Sequence, residues 1–293
     1  MKLSFSTRGW PELSWEEMME LALDMGFGGI EVYNLPKFDP MLDRSGPFHK
    51  YQAAATVRQL REKKLAIPCF DTSYDLSAGD ECVQWLRGLI EVAQNARVPY
   101  VAAVALTDNE DAVRKNLEVL LPDAAQRDVT LLIKTSGIYA DTARLRSLLD
   151  SFACDELAVL WDVHHPYRDF GESGDTTIKN LGDYVRHVHL RDSEDTGSYA
   201  LIGEGTAPIK DFMRALSSVN YDGFISLEWK PEWMEDVQDR EVIYEPAGQP
   251  GKSAGRLHRA NAGKPLRTAK TAFFKRHLAG RKSGWPVEFR HAQ

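Results

Sequence analysis

Leu157–Tyr167, LAVLWDVHHPY, opens with five apolar residues and breaks at once into Asp162, His164, His165 and Pro166. An apolar run of that length, ended by a breaker, predicts a strand covered on both faces, as in a parallel sheet. Its acid and imidazoles then stand at the C-terminal end of the strand, the edge where parallel α/β sheets carry their chemistry. Two further segments end alike: Tyr184–Asp192, YVRHVHLRD, and Phe224–Trp229, FISLEW. Three strand ends thus bring Asp162, His189 and Glu228 toward one place, which predicts a convergent polar site.

Outward from this stretch the pattern repeats. Strands are predicted at Lys2–Ser6, Gly28–Tyr33, Ala66–Asp71, Pro99–Val104, Val129–Lys134, Leu157–Asp162, Val185–Leu190 and Gly223–Glu228. Between them lie helical stripes: Trp15 to Leu23 behind a Ser14/Glu17 capping box and closed by Gly26, then Tyr51–Lys64, Glu81–Ala96, Asp111–Gln126, Asp141–Phe152, Thr176–Gly182 and Ile209–Val219. Strict alternation of strand and helix predicts parallel pairing with right-handed crossovers. Eight such units in about 230 residues fit one closed (β/α)8 barrel over 1–240. A doubly wound open sheet is the runner-up. No GxGxxG follows the first strand and no P-loop occurs, so no nucleotide cofactor is expected.

The chain has 293 residues, 43% hydrophobic and 27% charged, which fits a globular protein with a substantial core. The N-terminus MKLSFSTRGW turns polar too soon for a signal peptide, and no apolar run is long enough to span a bilayer. Three scattered cysteines, Cys69, Cys82 and Cys154, outside any CxxC pattern suit reduced thiols; a cytoplasmic protein without membrane attachment is expected. The net charge of −7 is unevenly distributed. Residues 246–293 carry 11 Lys/Arg and one acid, whereas 1–245 carry 25 basic and 42 acidic side chains, a balance of −17. An acidic body argues against a nucleic-acid surface. The 241–293 segment reads as a basic C-terminal extension with a Pro/Gly-rich linker, PAGQPGKSAG, and a basic helix over Leu266–Leu278. It is expected to be solvated or docked on an acidic body, its own or a neighbour's.

The polar residues at the predicted strand ends are Glu31, Asp71, Lys134, Asp162, His165, His189, Arg191 and Glu228. Positions two apart on a strand share a face, so His187 and His189 point the same way and Arg191 continues that face. Carboxylate plus imidazole without thiolate suits Mn²⁺, Mg²⁺, Zn²⁺ or Fe²⁺, and Asp162, His189 and Glu228 would make such a site with open positions for substrate oxygens. Trp10, Trp161 and Trp229 could stack on a sugar face or simply pack. Asp71 reads more as a cap than as a substrate contact. Gly203–Gly205 reads as a turn at the rim, His187 as either structural or functional, and His164 as pointing away from His165.

The motifs GFGGIEV (26–32), WDVHH (161–165), HVHLRDS (187–193), IGEG (202–205) followed by Ile209–Phe212, and ISLEW (225–229) together resemble the xylose isomerase-like TIM barrels, a superfamily of sugar and sugar-phosphate isomerases and epimerases with abasic-site endonucleases as distant relatives. The resemblance covers about 1–240. It implies a divalent metal on a Glu, an Asp, a His and a Glu from the last four strands. The Asp falls on Asp162, the His on His189 and the final Glu on Glu228; a histidine that contacts substrate or metal falls on His165. The first Glu has no match, because Lys134 stands at its place in VTLLIK.

The resemblance implies an isomerase or epimerase that removes a proton next to a carbonyl of a sugar, sugar phosphate or sugar acid. Glu228 would be the main acid/base group and Lys134 its partner. His165, Arg191, Glu31 and Trp10 would bind substrate, and Asp162, His189 and Glu228 would hold metal. Lys134 is expected to weaken or abolish metal binding and to pair with Asp162 or Glu228 in the unliganded protein. It would act either as a substitute charge or, if burial neutralises it, as a base. A dehydratase of the same superfamily and a non-catalytic carbohydrate-binding barrel are the alternatives. The expected partner is a small carbohydrate, and a homodimer fits the resemblance.

Overall fold

A computed structural model describes residues 1–35, 40–230 and 233. The extension over 241–293, its linker and its basic helix lie outside the described residues. Eight parallel strands close into one barrel: β1 (Lys2–Ser6), β2 (Gly29–Tyr33), β3 (Phe70–Asp75), β4 (Tyr100–Val104), β5 (Thr130–Lys134), β6 (Leu157–Asp162), β7 (Val185–Leu190) and β8 (Phe224–Leu227). They neighbour one another in chain order, and β1 pairs with β8 to close the ring, Lys2 opposite Phe224 and Phe5 opposite Leu227. The barrel expected from strand–helix alternation is the fold observed.

The two faces of each strand do different work. Phe5, Ile30, Val32, Phe70, Leu131, Ile133, Val159, Trp161, Val188, Leu190, Ile225 and Leu227 belong to the large core between barrel and helices. The alternate residues fill the barrel. Its interior apolar layer is small: Cys69, Ala102, Leu132, Ala158 and Leu160, with Tyr100 packed against it. Two residues further along the same strands come Asp71, Lys134 and Asp162, all buried. The period of two therefore sets a polar layer directly upon an apolar plug.

The surrounding helices are α1 (Trp15–Met25), α2 (Ala53–Glu62), α3 (Glu81–Ala96), α4 (Glu110–Gln126), α5 (Thr142–Phe152), α6 (His164–Phe170), α7 (Gly174–Leu181) and α8 (Ile209–Ser218). The capping box expected at Ser14 and Glu17 is formed, and Gly26 ends α1 in the left-handed conformation at φ 73°. None of the described helices is long and apolar enough to cross a membrane.

Three local expectations shift. β3 begins at Phe70, not Ala66, and continues to Asp75 through an irregular register. Ala66 keeps only an isolated bridge to Gly29, and Pro68, with no N–H to give a ladder, lies between. Helix α6, which follows β6 at once, was not expected. Pro166 is its third residue, where a missing N–H costs nothing. A two-stranded ribbon, Asp192–Ser193 against Tyr199–Ala200, also stands over the mouth after β7.

Candidate active site

Lys134 and Asp71 meet first in the polar layer. Lys134 Nζ donates to Asp71 Oδ2 at 2.9 Å, both side chains buried. They belong to β5 and β3, separated by β4, where Ala102 is paired to Asp71 on one side and, on the other, to Leu132, two residues before Lys134. The expected pairing of Lys134 with Asp162 or Glu228 is therefore corrected. Asp71 is the partner, and it is no loop cap. Burial alone would lower the Lys134 pKa, but Asp71, Glu228 and Asp162 outweigh it and hold the ammonium charged well above the ordinary range.

Asp162 and Glu228 are claimed by arginines. Arg191 Nη2 donates to Asp162 Oδ2 at 2.7 Å, and its Nη1 lies 3.1 Å from Glu228 Oε2. Arg8, on a one-turn 3₁₀ helix (Thr7–Gly9) directly after β1, donates from Nη1 to Glu228 Oε1 at 2.6 Å. Burial pushes the Glu228 carboxyl up, but Arg191, Lys134, His189 and Arg8 together pull it well below the usual carboxylate range. Asp162 is likewise lowered, burial being outweighed by Arg191 and His165. Sequence reading missed Arg8. The only signal was its place just past a strand end, with no motif around it.

The histidines share one acceptor. Glu31 Oε2 receives His187 Nε2 at 2.6 Å and His189 Nε2 at 2.7 Å; His187 Nε2 also lies 2.9 Å from Ser226 Oγ, itself 2.8 Å from Ser4 Oγ. These contacts put a proton on Nε2 of both rings. Glu31 is thus fully buried behind the histidines and orients them; it is not a substrate contact. His189 Nδ1, buried and without a hydrogen-bond partner, lies 3.9 Å from Glu228 Oε1. Asp71 Oδ1 is likewise buried and without a hydrogen-bond partner among the described residues.

The rim is wetter. His165 keeps 29% of its side chain exposed; its Nδ1 meets Asp169 at 3.0 Å on the next turn of α6, and its Nε2 lies 3.9 Å from Asp162. That placement keeps a substrate role open to it. His164 turns to Ser193 Oγ at 3.0 Å, yet its ring meets that of His165 edge to face, so the two do not point apart. Arg191 lies under a stacked Tyr199–Trp233 pair, rings 4.0 Å apart. The carboxylate of Asp192 accepts the N–H groups of Gly203, Gly205 and Ala207, which makes this segment a rim turn and not a phosphate cradle. Trp10 is 4% exposed, edge to face on Phe5, and Trp161 is fully buried against Phe212. Both are packing residues, so Trp10 presents no open face to a sugar. A cleft of about 890 Å³ opens beside the site, lined among others by Arg8, Tyr33, Trp15 and Lys230.

The metal set Asp162, His189 and Glu228 is not assembled as expected. Two other groups bring donor atoms within 4.8 Å of one another: Glu31, His187 and His189, and Asp71, His189 and Glu228. In the first, Glu31 Oε2 is already taken by Nε2 of both histidines. In the second, Asp71 carries Lys134, and Glu228 carries Arg8 and Arg191. At about 5 Å a dication and an ammonium repel by roughly 7 kcal/mol at an effective dielectric of about 20. The chain's own cations thus already sit on the carboxylates that a divalent ion would need.

Among curated proteins the chain is 23% identical over 257 residues to a fructoselysine 3-epimerase of Shigella flexneri, covering 80% of this chain and 92% of that protein. Among solved structures it resembles a probable 3-DHS dehydratase of Bacillus anthracis, with TM-score 0.67, 16% identity and coverage of 78% of this chain and 93% of that one. It also resembles the IOLI protein solved with a bound zinc atom, with TM-score 0.65, 17% identity and coverage of 80% and 90%. The family model described as xylose isomerase-like TIM barrel matches residues 19–248. With a closed eight-stranded parallel barrel and a match over most of its length, the chain belongs to the xylose isomerase-like TIM barrel family.

Proposed function

We propose that the protein is a sugar epimerase or isomerase that moves a proton at a carbon next to a carbonyl. The observation that carries this reading is the convergence of Glu228, His189 and the Lys134–Asp71 pair, with donor atoms of Asp71, His189 and Glu228 within 4.8 Å of one another. A substrate carbon and its oxygen placed there would meet a carboxylate and a fixed positive charge together. Glu228 takes the proton. In an isomerisation it returns it to the neighbouring carbon; in an epimerisation a proton is delivered to the opposite face of the same carbon, with Lys134 as the partner group across it. Lys134, held charged, donates to the substrate oxygen and stabilises the negative charge that develops on it. Arg191 and His165 hold hydroxyl oxygens at the rim.

In the unliganded protein Glu228 is a weak base, because two arginines and a lysine stabilise its anion. Arg8 is the more accessible clamp, its side chain 20% exposed. Substrate oxygens that take over the donors of Arg8 would relieve Glu228 and restore its basicity beside the carbon to be deprotonated. The similarity to a fructoselysine 3-epimerase supports a ketose or ketose-amine substrate.

The test is incubation with free ketoses and with ketoses carrying an amino-acid substituent, followed by NMR analysis of the sugar products. An epimer or aldose formed by the parent and absent with Glu228→Gln supports the reading. Full turnover by Glu228→Gln refutes it.

A further inference from the structure

We infer that the mouth of this barrel works with side-chain cations in the place of a divalent metal ion, and that Lys134 is the residue that keeps the ion out. Four carboxylates, Glu31, Asp71, Asp162 and Glu228, are buried in one layer. Each has a positive or N–H partner from the chain itself: His187 and His189 for Glu31, Lys134 for Asp71, Arg191 for Asp162, Arg8 and Arg191 for Glu228. Three of those partners are permanent cations. The layer approaches neutrality without an ion. Adding a dication would leave a buried excess of positive charge.

Geometry gives the same answer. An ion at the Asp71, His189 and Glu228 group would share its carboxylates with three side-chain cations already seated at 2.6–3.1 Å. Three buried atoms of that group lack hydrogen-bond partners among the described residues: Glu228 Oε2, which faces Arg191 Nη1 at 3.1 Å, and the pair Asp71 Oδ1 and His189 Nδ1. One is an acceptor, and the other is a donor when the ring is charged. A hydroxyl group both donates and accepts, so a substrate hydroxyl or a water satisfies the pair without bringing charge. The consequence for substrate is specific. Lys134 is a point charge with three donors, and it polarises one oxygen from one side, whereas a metal ion would chelate two neighbouring oxygens. This inference stands whatever sugar is turned over.

The experiment is calorimetric titration of untagged, chelator-dialysed protein with Mn²⁺, alongside elemental analysis of the protein as purified. The expected result is metal far below one ion per chain, no isotherm up to about 1 mM Mn²⁺, and a melting temperature unmoved by chelator. Lys134→Glu should gain stoichiometric binding near about 1 μM and a melting temperature that rises with Mn²⁺; both gains should vanish when Glu228→Gln is added. That last control also separates the barrel from the histidines of residues 246–293. Should Lys134→Glu fail to fold by near-UV circular dichroism, Lys134→Met should show weaker Mn²⁺ binding of the same kind. Stoichiometric micromolar binding by the parent overturns the inference. So does a folded Lys134 variant as unresponsive to Mn²⁺ as the parent.

Discussion

Lys134 Nζ reaches across β4 to Asp71 Oδ2 at 2.9 Å, and this buried pair sits where a family barrel would be expected to place a metal-binding carboxylate. Removing one member of a buried pair strands the other. Lys134→Met should therefore cost about 3–5 kcal/mol of stability. Lys134→Met with Asp71→Asn should recover most of that loss, because no bare charge remains. Urea unfolding of the two variants checks the order. Equal losses in the single and double variants would show that Asp71 does not depend on Lys134.

Arg8→Gln removes the more exposed of the two arginines that depress Glu228. The Glu228 pKa must rise, so the acid limb of kcat/KM moves to higher pH, by about one unit if Arg8 is worth roughly 1.4 kcal/mol to the carboxylate. A pH profile on any substrate turned over reads this. A fall in rate with an unmoved limb would mean that Arg8 only positions substrate.

His164 is buried among positive neighbours. Burial, then Arg191, lower its pKa to about 4. Its folded pKa lies below its unfolded value, so the unfolded state binds the proton first. The stability contributed is present above about pH 6.5 and is lost as pH falls toward 4, by at most about 3 kcal/mol. The difference in stability between the parent and His164→Asn should shrink across that interval. A difference constant from pH 7 to pH 4 would contradict a neutral buried ring.

Trp161 is fully buried on the outer face of β6, edge to face with Phe212. Trp161→Ala should cost about 3–5 kcal/mol and leave the KM of any substrate nearly unchanged, as measured by unfolding and by steady-state kinetics. A raised KM at intact stability would return Trp161 to the site.

The sequence made the barrel legible because each strand announces both faces. In LAVLWD the residues Ala158, Leu160 and Asp162 turn inward while Val159 and Trp161 turn to the helices. The same period turns Lys134, His189 and Arg191 toward the interior with Glu228, where all four are buried. It could not say which charges meet. Lys134 finds Asp71 across β4, a relation around the barrel that no local spacing encodes. Glu31 looked like a rim acid at a strand end, yet two histidines from β7 reach across the interior to it. Arg8 sits on a single 3₁₀ turn, too short to carry periodicity, and Pro166 hid a helix because a proline in the first turn reads like a breaker.

The central claim, proton transfer by Glu228 beside a fixed ammonium, is tested most directly by solvent deuterium. Chelator-treated protein is incubated in D₂O with a ketose or ketose-amine that it epimerises, and recovered sugar is analysed by NMR. The account predicts deuterium at the carbon next to the carbonyl, with incorporation lost in Glu228→Gln and strongly reduced in Lys134→Met. Incorporation that appears only after a divalent ion is added, or that persists in Glu228→Gln, would contradict it.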